Sequence, residues 1–360
     1  MKIFDSEMEN SKTTIFEGNA SQDFNAFMKK HSYGKTVFLI DENVLRFHGD
    51  RIKEEFKGFS SERLVVIPSG EASKSMEILE HIYNCLSEME INRDDLLVAI
   101  GGGVVGDIAG FAAGTFKRGM DYVNVPTTLL AQVDSSAGGK TAVNLETGKN
   151  LVGMFHHPRA VFADRAFLNT LKKKVLLDGM AELVKYGCIG DRGFLEYISE
   201  AKPEDFLEKN ASYCVQKALA TKMKYVAEDE RDRGRRMLLN FGHTIAHVSE
   251  TVEGYESVSH GRAVARGMLQ ITRLSENKGL TEKGTSKSIE EALAALGFEK
   301  RKLGETLIDK ASLAIMKRDK KTMEGCLNLV LLKRIGEAFI HKVPLEELED
   351  FFTAGKRGKR

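Results

Sequence analysis

Apolar residues in the first half of the chain come in short, dense runs rich in β-branched side chains. Residues 36–40 (TVFLI), 63–67 (RLVVI), 95–100 (DLLVAI) and 122–125 (YVNV) are strand candidates. The segment 73–89 is amphipathic at helical spacing. This alternation predicts an α/β domain, a Rossmann-like and mostly parallel sheet covered by helices. Strand signals stop near Asn169. From about Val175 the pattern is almost entirely helical, with breaks at Gly190, Pro203, Gly254, Gly279 and Gly297. The expected domains are therefore 1–174, α/β, and 175–360, all-α, joined through the Lys-rich 171–174. A pocket is expected in the cleft between them.

The stretch 236–250, RMLLNFGHTIAHVSE, reads as one helix. Arg236, Asn240, His243 and His247 step by four, three and four and share a face. Leu238, Phe241, Ile245 and Val248 form the opposite stripe, and Gly242 and Ala246 leave room beside the polar line. Two readings stand, a solvated face or a chemical one. Solvated faces usually carry Lys and Glu, whereas this one carries Asn and two His one turn apart, a metal-chelating spacing. Thr244 stands where a HExxH protease helix has its Glu, which excludes that class.

A net charge of +1 over 360 residues makes no electrostatic case for nucleic acid. The basic tail 356–360 is short, as disordered tails often are. Cys85, Cys188, Cys214 and Cys326 stand far apart without a CxxC and read as reduced thiols. No run of about 18 apolar residues offers a membrane span. The N-terminal MKIFDSEMEN lacks the apolar core of a signal peptide, so a cytoplasmic protein is expected.

Gly101-Gly102-Gly103-Val104-Val105-Gly106-Asp107 follows a strand candidate and opens a helix, fitting GxGxxG through Gly101, Gly103 and Gly106. The preceding strand is not the first of its domain, which departs from the usual fingerprint. Asp107 repels a phosphate unless screened, or else holds a ribose hydroxyl. Ser69-Gly70-Glu71-Ala72-Ser73-Lys74 suits ribose and phosphate binding, or is an ordinary capped turn. In 126–140, PTTLLAQVDSSAGGK, Thr127 and Thr128 start a helix, and Asp134 and Lys140 bracket a glycine-rich turn. Residues 141–144 and 150–155 pair as a hairpin, which lets Lys140, Lys149 and Arg118 converge on an anion.

Glu182 and Lys185 share a helix face, a spacing whose common outcome is a surface ion pair. His260 opens a helix over 262–275, where an imidazole tends to stay neutral and suits a metal. Glu182, His243 and His260 then make a catalytic zinc set with an open position, leaving His247 for proton transfer. The remaining cations suit an acidic, phosphorylated substrate.

Together, GGGVVGD at 101–107, FKRG at 116–119, PTTLLAQVDSSAGGKTAVN at 126–144 and GKNLVGMFHHP at 148–158 resemble the 3-dehydroquinate synthase family. The likeness continues through GMAELVKYG at 179–187, DERDRGRRMLLNFGHTIAH at 229–247, SHGRAVARGM at 259–268 and DKK at 319–321. It implies an NAD-binding α/β domain followed by an all-helical metal domain, and a homodimer. It implies conversion of 3-deoxy-D-arabino-heptulosonate 7-phosphate to 3-dehydroquinate and phosphate, a step of the shikimate pathway. In that family NAD oxidises C5, phosphate is eliminated, hydride returns, the ring opens and an aldol step closes the carbocycle.

Carried over residue by residue, the family's metal ligands, for zinc or alternatively cobalt, fall on Glu182, His243 and His260. Its substrate groups fall on Arg118, Asp134, Lys140, Asn150, Lys185, Lys222, Arg236, Asn240 and His247. A further lysine falls on the Lys320-Lys321 pair. NAD contacts fall on Ser69, Gly70, Glu71, Lys74, Gly103, Val104, Val105, Gly106, Asp107, Thr127, Thr128, Lys140, Lys149, Phe167, Leu168, Asn169 and Thr170, with Asp41 as an additional contact.

The chain departs from the family pattern at Lys172-Lys173-Lys174-Val175, where a Pro and an Arg-Glu pair are common, and at Ala142 and Ala246, where Gly is common. The nearest rivals are sugar phosphate cyclases acting on sedoheptulose 7-phosphate or glucose 6-phosphate, whose substrates lack a carboxylate. Intact Gly138-Gly139-Lys140 with Lys222, Arg236 and Asn240 favours the carboxylate substrate. A polyol dehydrogenase would release NADH and needs fewer cations. A catalytically dead NAD-binding scaffold would not need the complete Glu182, His243 and His260 set or His247.

Overall fold

The structure is a computed structural model and describes residues 2–8, 11–254, 257–304, 306–317, 322–323 and 325–353. The chain divides into two compact units. One holds the residues up to Leu176 with Ala211–Arg231, and the other holds Leu177–Asn210 with the residues from Asp232 onward.

The first unit contains β1 (Lys2–Met8), β2 (Ser11–Glu17), α1 (Ala20–Lys30), β3 (Thr36–Asp41), α2 (Glu42–Glu55), β4 (Leu64–Ile67), α3 (Met76–Glu88), β5 (Leu96–Gly101), α4 (Gly103–Thr115), β6 (Asp121–Pro126), β7 (Lys140–Leu145), β8 (Gly148–Phe155) and β9 (Ala160–Ala163). Seven strands form one sheet in the order β1-β2-β9-β6-β5-β3-β4. Edge strand β1 is antiparallel to β2, and the other six run parallel. The expected hairpin forms as β7 and β8.

Side chains alternate across this sheet and both faces are covered. Val37 and Leu39 of β3 pack with Leu79 and Ile82 of α3 and Ile108 of α4. Phe38 and Ile40 pack on the other face with Phe24 and Phe27 of α1 and Ile52 of α2. Strands buried on both faces read as dense apolar runs, which is how β3, β5 and β6 stood out in the sequence, while edge strand β4 stood out with Val66 exposed. β2 and β9 did not stand out, β9 being only the four residues AVFA.

Helix α5 (Lys173–Gly190) opens with the lysine run, whose Lys172 carbonyl accepts from Val175 N at 2.9 Å. It is followed by α6 (Arg192–Ser199) and α7 (Ala211–Glu228). α7 was expected in the second domain but packs in the first unit. The second unit also holds α8 (His243–Glu253), α9 (His260–Asn277) and α10 (Thr285–Ala295). Its helices are joined by an antiparallel sheet of β10 (Thr322–Met323), β11 (Cys326–Arg334) and β12 (Glu337–Pro344), so this part is helical without being all-α. Among the described residues no helix is long and apolar enough to cross a membrane.

The stretch 236–250 is not one helix. Arg235–Asn240 forms 3-10 turns, Phe241 and Gly242 make a turn, and Gly242 is left-handed at φ 81° before α8 begins at His243. The polar line therefore comes from two pieces hinged at a glycine. A Cβ on Gly242 would stand 2.6 Å from Met268 Cγ and 2.9 Å from the Val264 carbonyl oxygen of α9. Gly242→Ala meets both a left-handed backbone and an overpacked contact. It should cost about 2–4 kcal/mol in urea unfolding, and a loss below about 0.5 kcal/mol, the range of ordinary surface changes, would refute this account of the hinge.

Candidate functional site

In the first unit the chain runs from β3 outward to β4, then crosses to β5 on the other side of β3 and on to β6. This is a topological switch point, and ligands of such sheets bind beyond the carboxyl ends of the strands there. Asp41 ends β3 and caps α2, its Oδ1 accepting from Asn43 N at 2.8 Å and from Ser69 Oγ at 2.5 Å. Gly101 ends β5, and α4 begins at Gly103 with no side-chain cap from Gly102. The amides of its first turn are thus open to an anion. A Cβ on Gly103 would lie 2.8 Å from Ser135 Oγ, which gives that glycine a packing reason as well.

Asp107, just past the first turn of α4, is screened: buried Lys74 pairs with it and also donates to Asn150 Oδ1. Burial raises the Asp107 pKa, and the Lys74 charge opposes that shift. Asn150 adopts φ 54°, a conformation asparagine tolerates better than most residues. Asn144 ties the same corner together. Its Nδ2 donates to Glu71 Oε1 at 2.8 Å, and its Oδ1 accepts from Asn150 N at 2.9 Å. Lys149 Nζ lies 3.8 Å from Glu71, and Lys140 is exposed at the start of β7. Thr127 N donates to the Gly101 carbonyl at 2.9 Å, and Thr128 Oγ1 caps Ala131 N at 3.2 Å. Phe167 and Leu168 are fully buried, whereas Asn169 and Thr170 are exposed.

A π-helical turn at Ala131–Ser135 carries Asp134. Single π turns often mark functional positions because they re-aim one side chain. Here Asp134 Oδ1 accepts from Lys222 Nζ at 2.6 Å, and the Asp134 carbonyl accepts from it at 2.8 Å. Lys222 is on α7, so the helix that joins the first unit brings it a candidate substrate cation. Arg118 sits on an exposed turn at φ 69° and makes no hydrogen bond or ion pair among the described residues. The Lys320-Lys321 pair lies outside the described residues.

In the second unit three helices converge on Glu182, which is fully buried on α5. Its Oε1 lies 3.7 Å from His243 Nε2 and 3.5 Å from His260 Nε2, while buried Lys185 pairs with its Oε2. One ligand atom from each of Glu182, His243 and His260 falls within 4.8 Å of the others. His243 Nδ1 donates to the Phe241 carbonyl at 3.1 Å, so its Nε2 carries the lone pair. Burial lowers the His243 pKa to about 3 in spite of Glu182. Desolvation also acts against charge on His260, but the flanking carboxylates of Glu182 and Glu250 prevail and raise its pKa to about 10. The two flanking carboxylates thus act against the neutral state expected of an imidazole at a helix N-terminus. His247 follows one turn after His243, with ring centres 6.0 Å apart at 89°. Arg236 is buried, and Asn240 Nδ2 donates to the Met237 carbonyl at 3.2 Å. Asn144 and Glu250 were not among the residues expected at the site. The signal for Glu250 was its place seven residues beyond His243, on the same helix face.

The 3-dehydroquinate synthase N-terminal family model matches residues 64–178, and the C-terminal model matches 179–322. A 3-dehydroquinate synthase from Clostridium beijerinckii is 43% identical over 342 residues, covering 94% of this chain and 97% of that protein. Two solved structures share the fold at 23% identity. A 2-epi-5-epi-valiolone synthase from Streptomyces hygroscopicus with NAD+ and Zn2+ bound has a TM-score of 0.83, over 97% of this chain and 98% of that one. A 2-deoxy-scyllo-inosose synthase complexed with carbaglucose-6-phosphate, NAD+ and Co2+ has a TM-score of 0.78, over 95% and 97%. The chain belongs to the 3-dehydroquinate synthase family.

Lys74→Met would strand the Asp107 carboxylate among buried groups. It should lower stability by about 2–3 kcal/mol in denaturant titration, and adding Asp107→Asn should recover most of that loss. Equal stability of the single and parent proteins would show that the pair contributes nothing.

Proposed function

We propose that this chain is an NAD- and zinc-dependent lyase that converts 3-deoxy-D-arabino-heptulosonate 7-phosphate to 3-dehydroquinate and phosphate. The observation that carries the reading is the meeting of Glu182, His243 and His260, far apart in sequence, with both Nε2 atoms turned to one carboxylate oxygen. One carboxylate and two imidazoles fit a catalytic zinc site that keeps a position for substrate, with cobalt as the alternative ion. The switch-point corner of Asp41, Ser69 and Gly103 to Asp107 fits a dinucleotide. When bound, the metal would polarise a substrate hydroxyl and the nicotinamide would take up a hydride and give it back within one turnover.

The chain's own groups supply orientation and charge. Lys140, Lys222, Arg236, Asn240 and Asn150 hold the carboxylate and phosphate of the substrate, with Arg118 as a further anion contact. Lys185 sets the charge at Glu182. His247 takes the hydroxyl proton released as the carbinol is oxidised. The departing phosphate can accept the proton lost in elimination, so the protein's share in that step is positioning. Lys74, Glu71, Lys149, Thr127, Thr128 and the 167–170 turn belong to the cofactor side. A cytoplasmic homodimer is part of the same reading.

The purified protein should release phosphate from the heptulosonate phosphate at least about a hundredfold faster than from sedoheptulose 7-phosphate, because a site built for a carboxylate rejects a substrate lacking one. Reduced nicotinamide should not accumulate. Equal rates on both sugars, or stoichiometric NADH, would replace the synthase with one of its rivals. His243→Ala should leave less than about a tenth of the parent's zinc after dialysis, as expected when a ligand is lost. Full retention of zinc would remove His243 from the metal set.

A further inference from the structure

The two imidazoles of the metal set are held by different means. His243 Nδ1 donates to a backbone carbonyl, that of Phe241. His260 Nδ1 meets Glu250 Oε1 at 3.1 Å. Glu250 lies near the end of α8 and is 4% exposed. A carboxylate is rarely kept at that depth unless a partner needs it, because its desolvation is costly. His260 is the first residue of α9, with Gly261 N donating to Asp178 Oδ1 at 3.0 Å just behind it. That anchor fixes the backbone and does not touch the imidazole ring. Glu182 faces the Nε2 edge of the ring, so the acceptor on the Nδ1 edge is Glu250.

We propose that Glu250 is a positioning residue of the metal site: it turns His260 so that Nε2 faces Glu182 and strengthens that nitrogen as a ligand. The inference rests on reading Glu182, His243 and His260 as the metal set. Carboxylates behind ligating histidines have this effect generally, and their loss weakens metal binding about 10–100-fold.

The test measures Zn2+ affinity by competition with a chelator, and the visible spectrum of the Co2+-loaded protein, for the parent, Glu250→Ala, Glu250→Gln and His243→Ala. Glu250→Ala should bind zinc about 10–100-fold more weakly and shift the cobalt bands. Glu250→Gln, whose amide oxygen still accepts from Nδ1, should recover part of both and covers the case in which the alanine variant fails to fold. Parent-like affinity and spectrum in folded Glu250→Gln and Glu250→Ala would overturn the proposal, even if their unfolding midpoints fall. Undiminished zinc binding by His243→Ala would instead overturn the metal set itself, so the two failures can be told apart.

Discussion

Burying the Glu182 carboxylate is the constraint around which the second unit is built. A carboxylate without water costs several kcal/mol unless charge and hydrogen bonds answer it. Here the answer is divided: Lys185, one turn along the same helix, takes Oε2, and the two imidazoles face Oε1. That division demands close packing of helices. Gly261 lies against the Asp178 backbone of α5, and Gly267 lies against the Gly242 carbonyl, both closer than any Cβ could stand. The glycine beside His260 and the left-handed glycine before His243 are therefore two parts of one arrangement. They let α9 approach α5 and α8 closely enough for three donors on three helices to share one centre.

This arrangement explains why the site was legible in part. Chemistry-bearing residue types survive in a sequence whatever the backbone does, so Glu182, His243 and His260 could be named as a set. The geometry behind them could not. Arg236, Asn240, His243 and His247 keep helical spacing, yet a left-handed Gly242 divides them between 3-10 turns and α8. Spacing cannot distinguish a continuous helix from two pieces hinged at a glycine, because glycine is allowed in both conformations. Glu250 was passed over for a related reason. A glutamate near a helix end usually lies in water, and only tertiary packing makes this one a buried partner of His260.

The fold shows the same division. Strands buried on both faces announce themselves by dense apolar runs, as β3, β5 and β6 did, and edge strand β4 stood out by its β-branched run although Val66 is exposed. The C-terminal hairpin β11 and β12 was read as helix. Its run LNLVLL is apolar enough for either state, and apolar runs of that length are ambiguous by periodicity alone. Helix α7 was placed with its helical neighbours in sequence, although its buried polar contacts belong to the first unit. Ser212 Oγ and Gln216 Nε2 donate to Glu17 at 2.5 and 2.8 Å, and Lys222 reaches Asp134. No periodicity in α7 could reveal those partners, because they come from residues far away in the chain.

The first unit handles its buried charges by a rule that also bears on chemistry. Lys74 is held by Asp107 and Asn150, and Lys222 by Asp134. A lysine on four rotatable bonds is a poor aiming device until such contacts fix it. Each pair removes that freedom beforehand, so the ammonium group is held in place without further ordering cost. The acid that looked misplaced in a glycine-rich turn, Asp107, is thus the group that fixes Lys74, and the two cannot be understood separately.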